Sequence, residues 1–439
     1  MLSWHKIEPP KFLFAGNNTH RIPRKGLQEY GPYDGGTKIN LHIIAPQRHR
    51  RYTMDIINGV KERLEDLFST DVELVDELYL GKEEMQRRQY QRVIINRVLE
   101  WRRENRRAKL LFQVIPWRDT KPGGYYWALR KVSLSRYDGV PALPVQTITV
   151  DRLREYHRYY GKKKAEGIVE NLAIAFYAKV GLRPWILVGN ISENYESAIY
   201  VGYDISYRED IGQRGMGGVV VFDSRGQVID YFECEIQVEK GDRISDASFR
   251  AFLDIIIYSA EASKIRPQLI VFHRDGDYYY DEVQKISRYM EQWGYDYVIL
   301  SFPKRRGGFP LLKRMGYKTK LVESGYYAEL GWQLAKDGKW YKTYGLQSLG
   351  SDVPIGVPPN ILRFRLIKQK TRKIRAREML RDTARQVFWL TRLNYATKLG
   401  YAKLPITVHY SHKLANVKRN NIALAEFDKI KHNKPIWMI

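Results

Sequence analysis

The chain alternates short apolar runs with longer stretches in which apolar residues return every three or four positions. That switching between strand period and helix period is its main structural signal. From Lys38 the pattern predicts a strand over 41–45, a helix over 51–68, a strand over 72–75 and a basic helix over 83–107. A strand over 110–115, a short helix over 125–135, a strand over 145–148 and a long helix over 166–180 follow. Strands alternating with helices argue for a parallel sheet covered on both faces. Gly181 and Pro184 supply a helix stop and a change of element, which places a domain boundary at 183–185. Beyond it the pattern becomes hairpin-like, with strands over 197–205, 216–222 and 228–238 and a turn signal at Ser224-Arg225-Gly226. A helix over 245–263, a strand over 269–272, a helix over 281–292 and a strand over 297–302 come next. Residues 1–38, rich in Pro, Gly and Asn, read as an extended, turn-rich arm.

With 439 residues the chain suits two or three domains, and 44% hydrophobic and 13% aromatic residues suffice to give each a core. Charge changes the picture: 74 Lys+Arg against 49 Asp+Glu leave a net charge of +25. Surfaces that are merely charge-rich balance the two signs, so the excess points to a polyanionic partner, whose condensed counterions are released when its phosphates are neutralised. A single cysteine, Cys234, excludes an internal disulfide framework and a cysteine-rich zinc site. The start of the chain has no apolar signal region and eighteen apolar residues nowhere run together. No membrane insertion and a cytoplasmic location are therefore expected.

Single acids at strand ends supply the candidate chemistry. Asp204 interrupts the apolar run Tyr200-Val-Gly-Tyr-Asp-Ile-Ser206, and burying a carboxylate is costly unless it is paired or coordinated. It is either a ligand or a residue of an outward polar face. Asp275 follows an apolar strand and precedes Gly276, where backbone or phosphate can approach closely. Two such carboxylates in one sheet can hold Mg²⁺ or Mn²⁺ for phosphodiester hydrolysis. Further candidates lie in the segment from Glu235 to Ser245, which contains Glu239 and Asp242, and in the segment from Val408 to Asn416. There His412 is a ligand, a proton shuttle or a hydrogen-bonded structural histidine. Meandering strands, then a helix and a strand with an acid at its end, form the order of an RNase H-like domain.

Three short motifs, Gly202-Tyr-Asp204-Ile-Ser206, Arg274-Asp275-Gly276 and His409-Tyr-Ser-His412-Lys-Leu-Ala415, resemble in order and spacing the PIWI domain of Argonaute proteins. The resemblance covers residues 39–439 and implies an α/β chain: an N-terminal arm at 1–38, a Rossmann-like MID domain at 39–185 and an RNase H-like PIWI domain at 186–439. It also implies a metal-dependent Asp-Glu-Asp-Asp/His tetrad, with Asp204, Asp275 and His412 matching three positions. The family's glutamate falls on Gly241-Asp242-Arg243-Ile244, where this chain has Asp242. Aspartate is one methylene shorter, and a misplacement of about 1 Å costs on the order of 10²-fold in rate. An inactive or feeble nuclease is the expectation, with Glu239 as a substitute finger.

The same resemblance implies a pocket for the 5′ phosphate of a guide strand. Tyr126 would stack on the first base, Arg130 or Lys131 would meet the phosphate, and Gln146 and Lys179 would complete the set. The carboxylate of Ile439, at the end of the apolar run Pro435-Ile-Trp-Met-Ile439, would help through a bound Mg or Mn ion. Of the basic runs, Lys304-Arg305-Arg306 and the stretch containing Arg372 and Arg375 are assigned to guide or target backbone. The chain has no room for the N and PAZ domains of full-length Argonautes and so resembles the short prokaryotic members. That implies an RNA guide, a DNA target and a hetero-oligomer with an effector or an N/PAZ-substituting protein. The resulting expectation is a guide-directed sensor in antiviral and anti-plasmid defence. A guided Mg/Mn endonuclease and an unguided RNase H-like nucleic-acid binder are the alternatives.

Overall fold

A computed structural model describes residues 4–117, 124–137, 139–207, 214–239, 243–303, 312–315, 318–335, 338–352, 359–397, 400–420 and 422–426. Two compact units emerge. One comprises residues 12–186, 395–399 and 420–439, and the other residues 1–11, 187–394 and 400–419.

In chain order the elements up to the change of unit are β1 (His5–Lys6), β2 (Phe12–Leu13), β3 (Thr19–His20), α1 (Pro23–Tyr30), β4 (Lys38–Pro46), α2 (Arg50–Phe68) and β5 (Asp71–Leu80). Then come α3 (Arg87–Arg103), β6 (Lys109–Ile115), α4 (Tyr125–Leu134), β7 (Val145–Thr149), α5 (Val150–Arg158), α6 (Lys163–Lys179) and β8 (Ile186–Leu187). The unit around residues 12–186 is built on a four-stranded sheet of order β5-β4-β6-β7, parallel throughout. β4 and β6 are buried almost from end to end, as strands covered on both faces must be.

Three local outcomes differ from the periodicity reading. The arm is not simply extended: α1 starts at Pro23, whose fixed φ suits a first helical turn, and Phe12, Phe14 and Leu27 are buried. The basic helix is shorter than 83–107. It ends at Arg103, where the ammonium of Lys109 reaches back to the carbonyls of Trp101, Arg102 and Glu104 at 3.3, 2.7 and 2.8 Å, satisfying acceptors that a helix end leaves open. A helix that the pattern missed, α5, begins where the Thr149 hydroxyl accepts from the Arg152 amide at 3.2 Å.

The other unit continues with β9 (Ala198–Tyr207), β10 (Arg214–Phe222), β11 (Val228–Glu239), β12 (Arg243–Ile244), α7 (Asp246–Ala262), β13 (Leu269–Asp275), α8 (Tyr280–Gln292) and β14 (Asp296–Phe302). It is completed by β15 (Leu312–Met315), β16 (Lys318–Leu321), β17 (Tyr326–Leu334), β18 (Trp340–Leu349), β19 (Asn360–Lys370), α9 (Ala376–Leu390) and α10 (Ile406–Arg419). Ten strands form one mixed sheet of order β1-β17-β18-β19-β14-β13-β9-β10-β11-β12, in which only the neighbour pairs β9–β13 and β13–β14 are parallel. The fold is α/β, with a Rossmann-like parallel sheet followed by an RNase H-like mixed sheet. Alternation decides what each face meets. Ile199, Val201 and Tyr203 of β9, with Ile270 and Phe272 of β13, pack against Phe252 and Ile256 of α7 and Val283 and Ile286 of α8. The intervening residues, among them Gly202, Asp204, His273 and Asp275, face the other way, towards α10. No helix among the described residues is long and apolar enough to cross a membrane.

A candidate carboxylate–histidine centre and a buried cationic pocket

β9 and β13 are parallel neighbours with Arg274 opposite Tyr203, so the next residues along, Asp204 and Asp275, end up side by side. His412 arrives from α10. Its Nδ1 lies 2.7 Å from Asp204 Oδ2 and 3.4 Å from Asp275 Oδ2. The other Asp204 oxygen accepts from the Ile205 amide at 2.9 Å. Asp204 is buried, Asp275 is partly so, and the His412 ring is about half exposed, with 51% of its side chain accessible. The hydrogen bonds to Asp204 and then Asp275 push the His412 imidazole up to about 9, against the opposing effect of burial. In this geometry His412 is a cation bridging two carboxylates.

Two glycines let α10 lie this close. A Cβ on Gly202 would stand 2.1 Å from the Thr407 carbonyl oxygen, and one on Gly218, the register partner of Asp204, 2.4 Å from the Ala415 amide nitrogen. Both clashes are with backbone, so the helix would have to lift. Gly202→Ala is expected to cost about 1–3 kcal/mol of stability as an overpacking change. It should also draw the His412 pKa down from about 9 towards its ordinary value. Thermal melting and an NMR titration of His412 would check both effects; an unmoved imidazole would mean that the glycine does not set the spacing.

The ends of the two strands are pinned on the opposite face. Arg274 forms a direct, fully buried ion pair with Glu282 of α8, and its guanidinium lies 5.4 Å from the Tyr278 ring centroid. Gly276, at φ 106°, turns the chain out of β13 while its amide donates to the Phe302 carbonyl at 2.9 Å. A cleft of about 700 Å³ opens over the carboxylates, lined among others by Asp204, Asp275, Asp277, Trp332, Trp340 and Arg365. Sequence reasoning missed Arg365. This buried residue of β19 donates to Asp277 Oδ1 at 2.7 Å, Thr343 Oγ1 at 3.1 Å and Gln333 Oε1 at 3.1 Å. Its strand also carries Arg363, Lys368 and Lys370, so nothing in the sequence set Arg365 apart from the cations beside it.

One ligand atom from each of Asp204, Asp275 and His412 lies within 4.8 Å of the others. Two hard carboxylate oxygens with one imidazole suit a divalent cation of the Mg or Mn type. The three residues therefore fit such an ion. Asp242 lies outside the described residues, as does the side chain of Glu239, whose backbone ends β11.

In the other unit, five of the six expected phosphate-pocket residues are described, on α4, β7 and α6. Arg130, buried on α4, lies flat on the Tyr126 ring at 3.5 Å from its centroid and donates to Thr147 Oγ1 at 2.9 Å. Lys179, buried at the end of α6, donates to the Val145 carbonyl at 2.7 Å. Gln146 stands between those two contacts, its Oε1 buried without a donor among the described residues. Lys131 is exposed, Ile439 lies outside the described residues, and Thr147 in turn donates to Gln113 Oε1 at 2.8 Å, a neighbour that sequence reasoning missed. Desolvation lowers the Arg130 pKa without neutralising it.

Of the basic residues assigned to backbone contacts, Lys304, Arg305 and Arg306 lie outside the described residues. Arg372 is tied down: its Nε donates to Asp296 Oδ1 at 2.8 Å and its amide to Oδ2 at 2.9 Å. Arg375 is exposed at the start of α9.

Residues 132–304 match the Piwi domain family. The chain is 26% identical over 259 residues to the protein argonaute of Aquifex aeolicus and 24% identical over 284 residues to that of Pyrococcus furiosus. These alignments cover 58% and 64% of this chain but 32% and 33% of the relatives, so they span about a third of their length. Among solved structures, Clostridium butyricum Argonaute bound to a guide DNA and a 19-mer target DNA superposes with a TM-score of 0.74 at 15% identity, over 100% of this chain and 55% of that one. A. aeolicus Argonaute gives 0.68 at 18% identity, over 99% and 55%, and Drosophila Piwi 0.66 at 13%, over 99% and 56%. The Piwi match runs through the strands that carry Asp204 and Asp275, and the chain is thus similar in sequence to Argonaute proteins over part of its length and shares their fold.

Proposed function

We propose that the chain binds a guide strand by its 5′ phosphate and recognises the complementary strand by base pairing. The observation that carries this reading is the gathering of two buried cations, Arg130 and Lys179, on three consecutive residues of β7. A terminal phosphate offers charge and several acceptors together, which suits a guanidinium and an ammonium at one strand. The net charge of +25 suits the rest of the backbone, which is held without reading sequence. The division at about residue 185 then separates a MID-like guide-end pocket from a PIWI-like cleft. An RNA guide, a DNA target and a signal passed to an associated effector protein, in cytoplasmic defence against foreign nucleic acid, complete the proposal, with the shorter Asp242 in place of a glutamate arguing for recognition without cutting.

A second reading, a guided endonuclease, is favoured by the assembled cluster of Asp204, Asp275 and His412. A divalent ion held there would supply Lewis-acid chemistry on a phosphodiester. Asp204 is oriented for such a role by the Ile205 amide, and His412 can hold or release a proton at Nδ1 beside both carboxylates. The two readings part in one assay. The protein is incubated with a 5′-phosphorylated guide, a labelled complementary target and Mn²⁺. Guide-dependent target binding without a cut is the expected result; a single guide-programmed cut that disappears in Asp275→Ala would establish the endonuclease instead. Sequencing the nucleic acid that copurifies with the protein identifies the guide chemistry.

A further inference from the structure

The carboxylate cleft has a second wall of a different chemical kind. In the β17–β18 hairpin Trp332 pairs with Lys342 and Leu334 with Trp340, so alternation puts all four side chains on one face. Trp332, Leu334 and Trp340 all line the cleft, yet they are 58%, 53% and 62% exposed. The two indoles are diagonal neighbours across the hairpin, a separation that large aromatic side chains bridge. A cation lies beside one indole and another at the hairpin end. Lys342 Nζ lies 5.6 Å from the Trp332 ring centroid while pairing with Glu329 at 3.1 Å. Lys339 Nζ lies 3.7 Å from the ring centroid of Tyr280, which is itself half exposed. Arg365 also lines the cleft.

Exposed indoles at the mouth of a cleft mark a surface that something covers. The charges around these indicate what. A flat apolar face with ammonium groups beside it matches an unpaired nucleobase and the phosphate attached to it, the combination that single-strand binding surfaces use. An acidic protein segment would also find the cations, but it would meet Asp204, Asp275 and Asp277, which line the same cleft, and it has no flat face to lay on an indole. A stacked base keeps its phosphates on the cationic side.

We propose that Trp332 and Trp340 form a stacking platform for unpaired bases of a nucleic-acid strand entering the carboxylate cleft. This rests on the nucleic-acid reading of the cleft, but it requires no guide, no metal ion and no cutting. The platform holds single strands in preference to duplex, in which base faces are already stacked.

The test uses the full chain in EDTA at elevated salt, with fluorescence anisotropy of a d(T)20 strand and of the d(A)20·d(T)20 duplex. Trp332→Leu and Trp340→Leu keep apolar bulk and remove the ring. Each is expected to weaken d(T)20 binding about 5- to 150-fold, the range for loss of one base–aromatic stack, and to leave duplex binding unchanged. Phenylalanine at either position should retain most of the affinity. In the wild-type protein, ultraviolet irradiation of a 5-iodouracil strand should crosslink to the peptides containing Trp332 or Trp340. Leucine variants within twofold of wild type on d(T)20, equal losses on single strand and duplex, or crosslinks elsewhere only would each overturn the platform. So would a purified protein partner that shields the two indoles when d(T)20 does not. Guide-dependent target binding is scored separately. Its failure with the d(T)20 result intact would remove the guided reading and keep the platform; the converse would remove the platform alone.

Discussion

Mn²⁺ binding to Asp204, Asp275 and His412 is expected to tighten about tenfold for each pH unit between about 6.5 and 9, and then to level off. The reason is the proton on His412. The two carboxylates hold its pKa at about 9, so below that pH the imidazolium occupies the place where a metal ion would sit. Binding must expel one proton, whether the ring becomes a ligand or merely loses its partners. Calorimetric titrations with Mn²⁺ at several pH values in buffers of different ionisation enthalpy would count it. His412→Gln should flatten the dependence; a flat wild-type profile would show that the proton is not displaced. The sign for stability is opposite. Because the folded pKa of His412 lies above its unfolded value, its contribution is fully present below about 6.5 and is lost as pH rises through about 9. The metal-free protein should therefore lose stability towards alkaline pH while its metal affinity grows.

The second large effect concerns the guide end. Lys179→Ala and Arg130→Ala are each expected to weaken binding of a 5′-phosphorylated guide by about 10- to 150-fold, the range for a lost hydrogen bond to a charged group. A 5′-hydroxyl guide should bind equally weakly to wild type and to both variants. The control matters because removing any surface cation also lowers affinity, but for all strands alike and with a shallower salt dependence. Equal losses for phosphate and hydroxyl ends would reduce Arg130 and Lys179 to structural cations. Since both side chains are buried, melting curves of the variants belong with the binding data.

The sequence disclosed most where periodicity and chemistry coincide. The helix expected over 51–68 runs from Arg50 to Phe68, and the single acids in apolar strands, Asp204 and Asp275, are brought together with His412. What was not legible depended on tertiary partners. Arg102, in the helix expected to be basic over 83–107, is fully buried and donates to the carbonyls of Val132, Ser135, Val140 and Pro141 at 2.6–2.9 Å. Nothing in its neighbourhood along the chain announces four acceptors thirty or more residues away. Arg372 likewise looked like a free cation, and Asp296 claims it. The three-residue apolar set that folds the arm, and the glycines that seat α10, follow from close contacts between distant segments, which periodicity does not record. Trp332 and Trp340 escaped notice because alternation in β17 and β18 sets only which residues share a face, not which face stays open to solvent.

The partners of the carboxylate–histidine centre lie far apart along the chain, His412 being 208 positions beyond Asp204. During synthesis β9 and β13 can pair as soon as they emerge, but their two carboxylates then stand together with no imidazolium between them until α10 leaves the ribosome. At ordinary elongation speeds that interval is on the order of ten seconds. For that time the nascent chain displays a bare pair of acids, open to any divalent cation in its surroundings, and only the arrival of α10 introduces the proton that competes for the place.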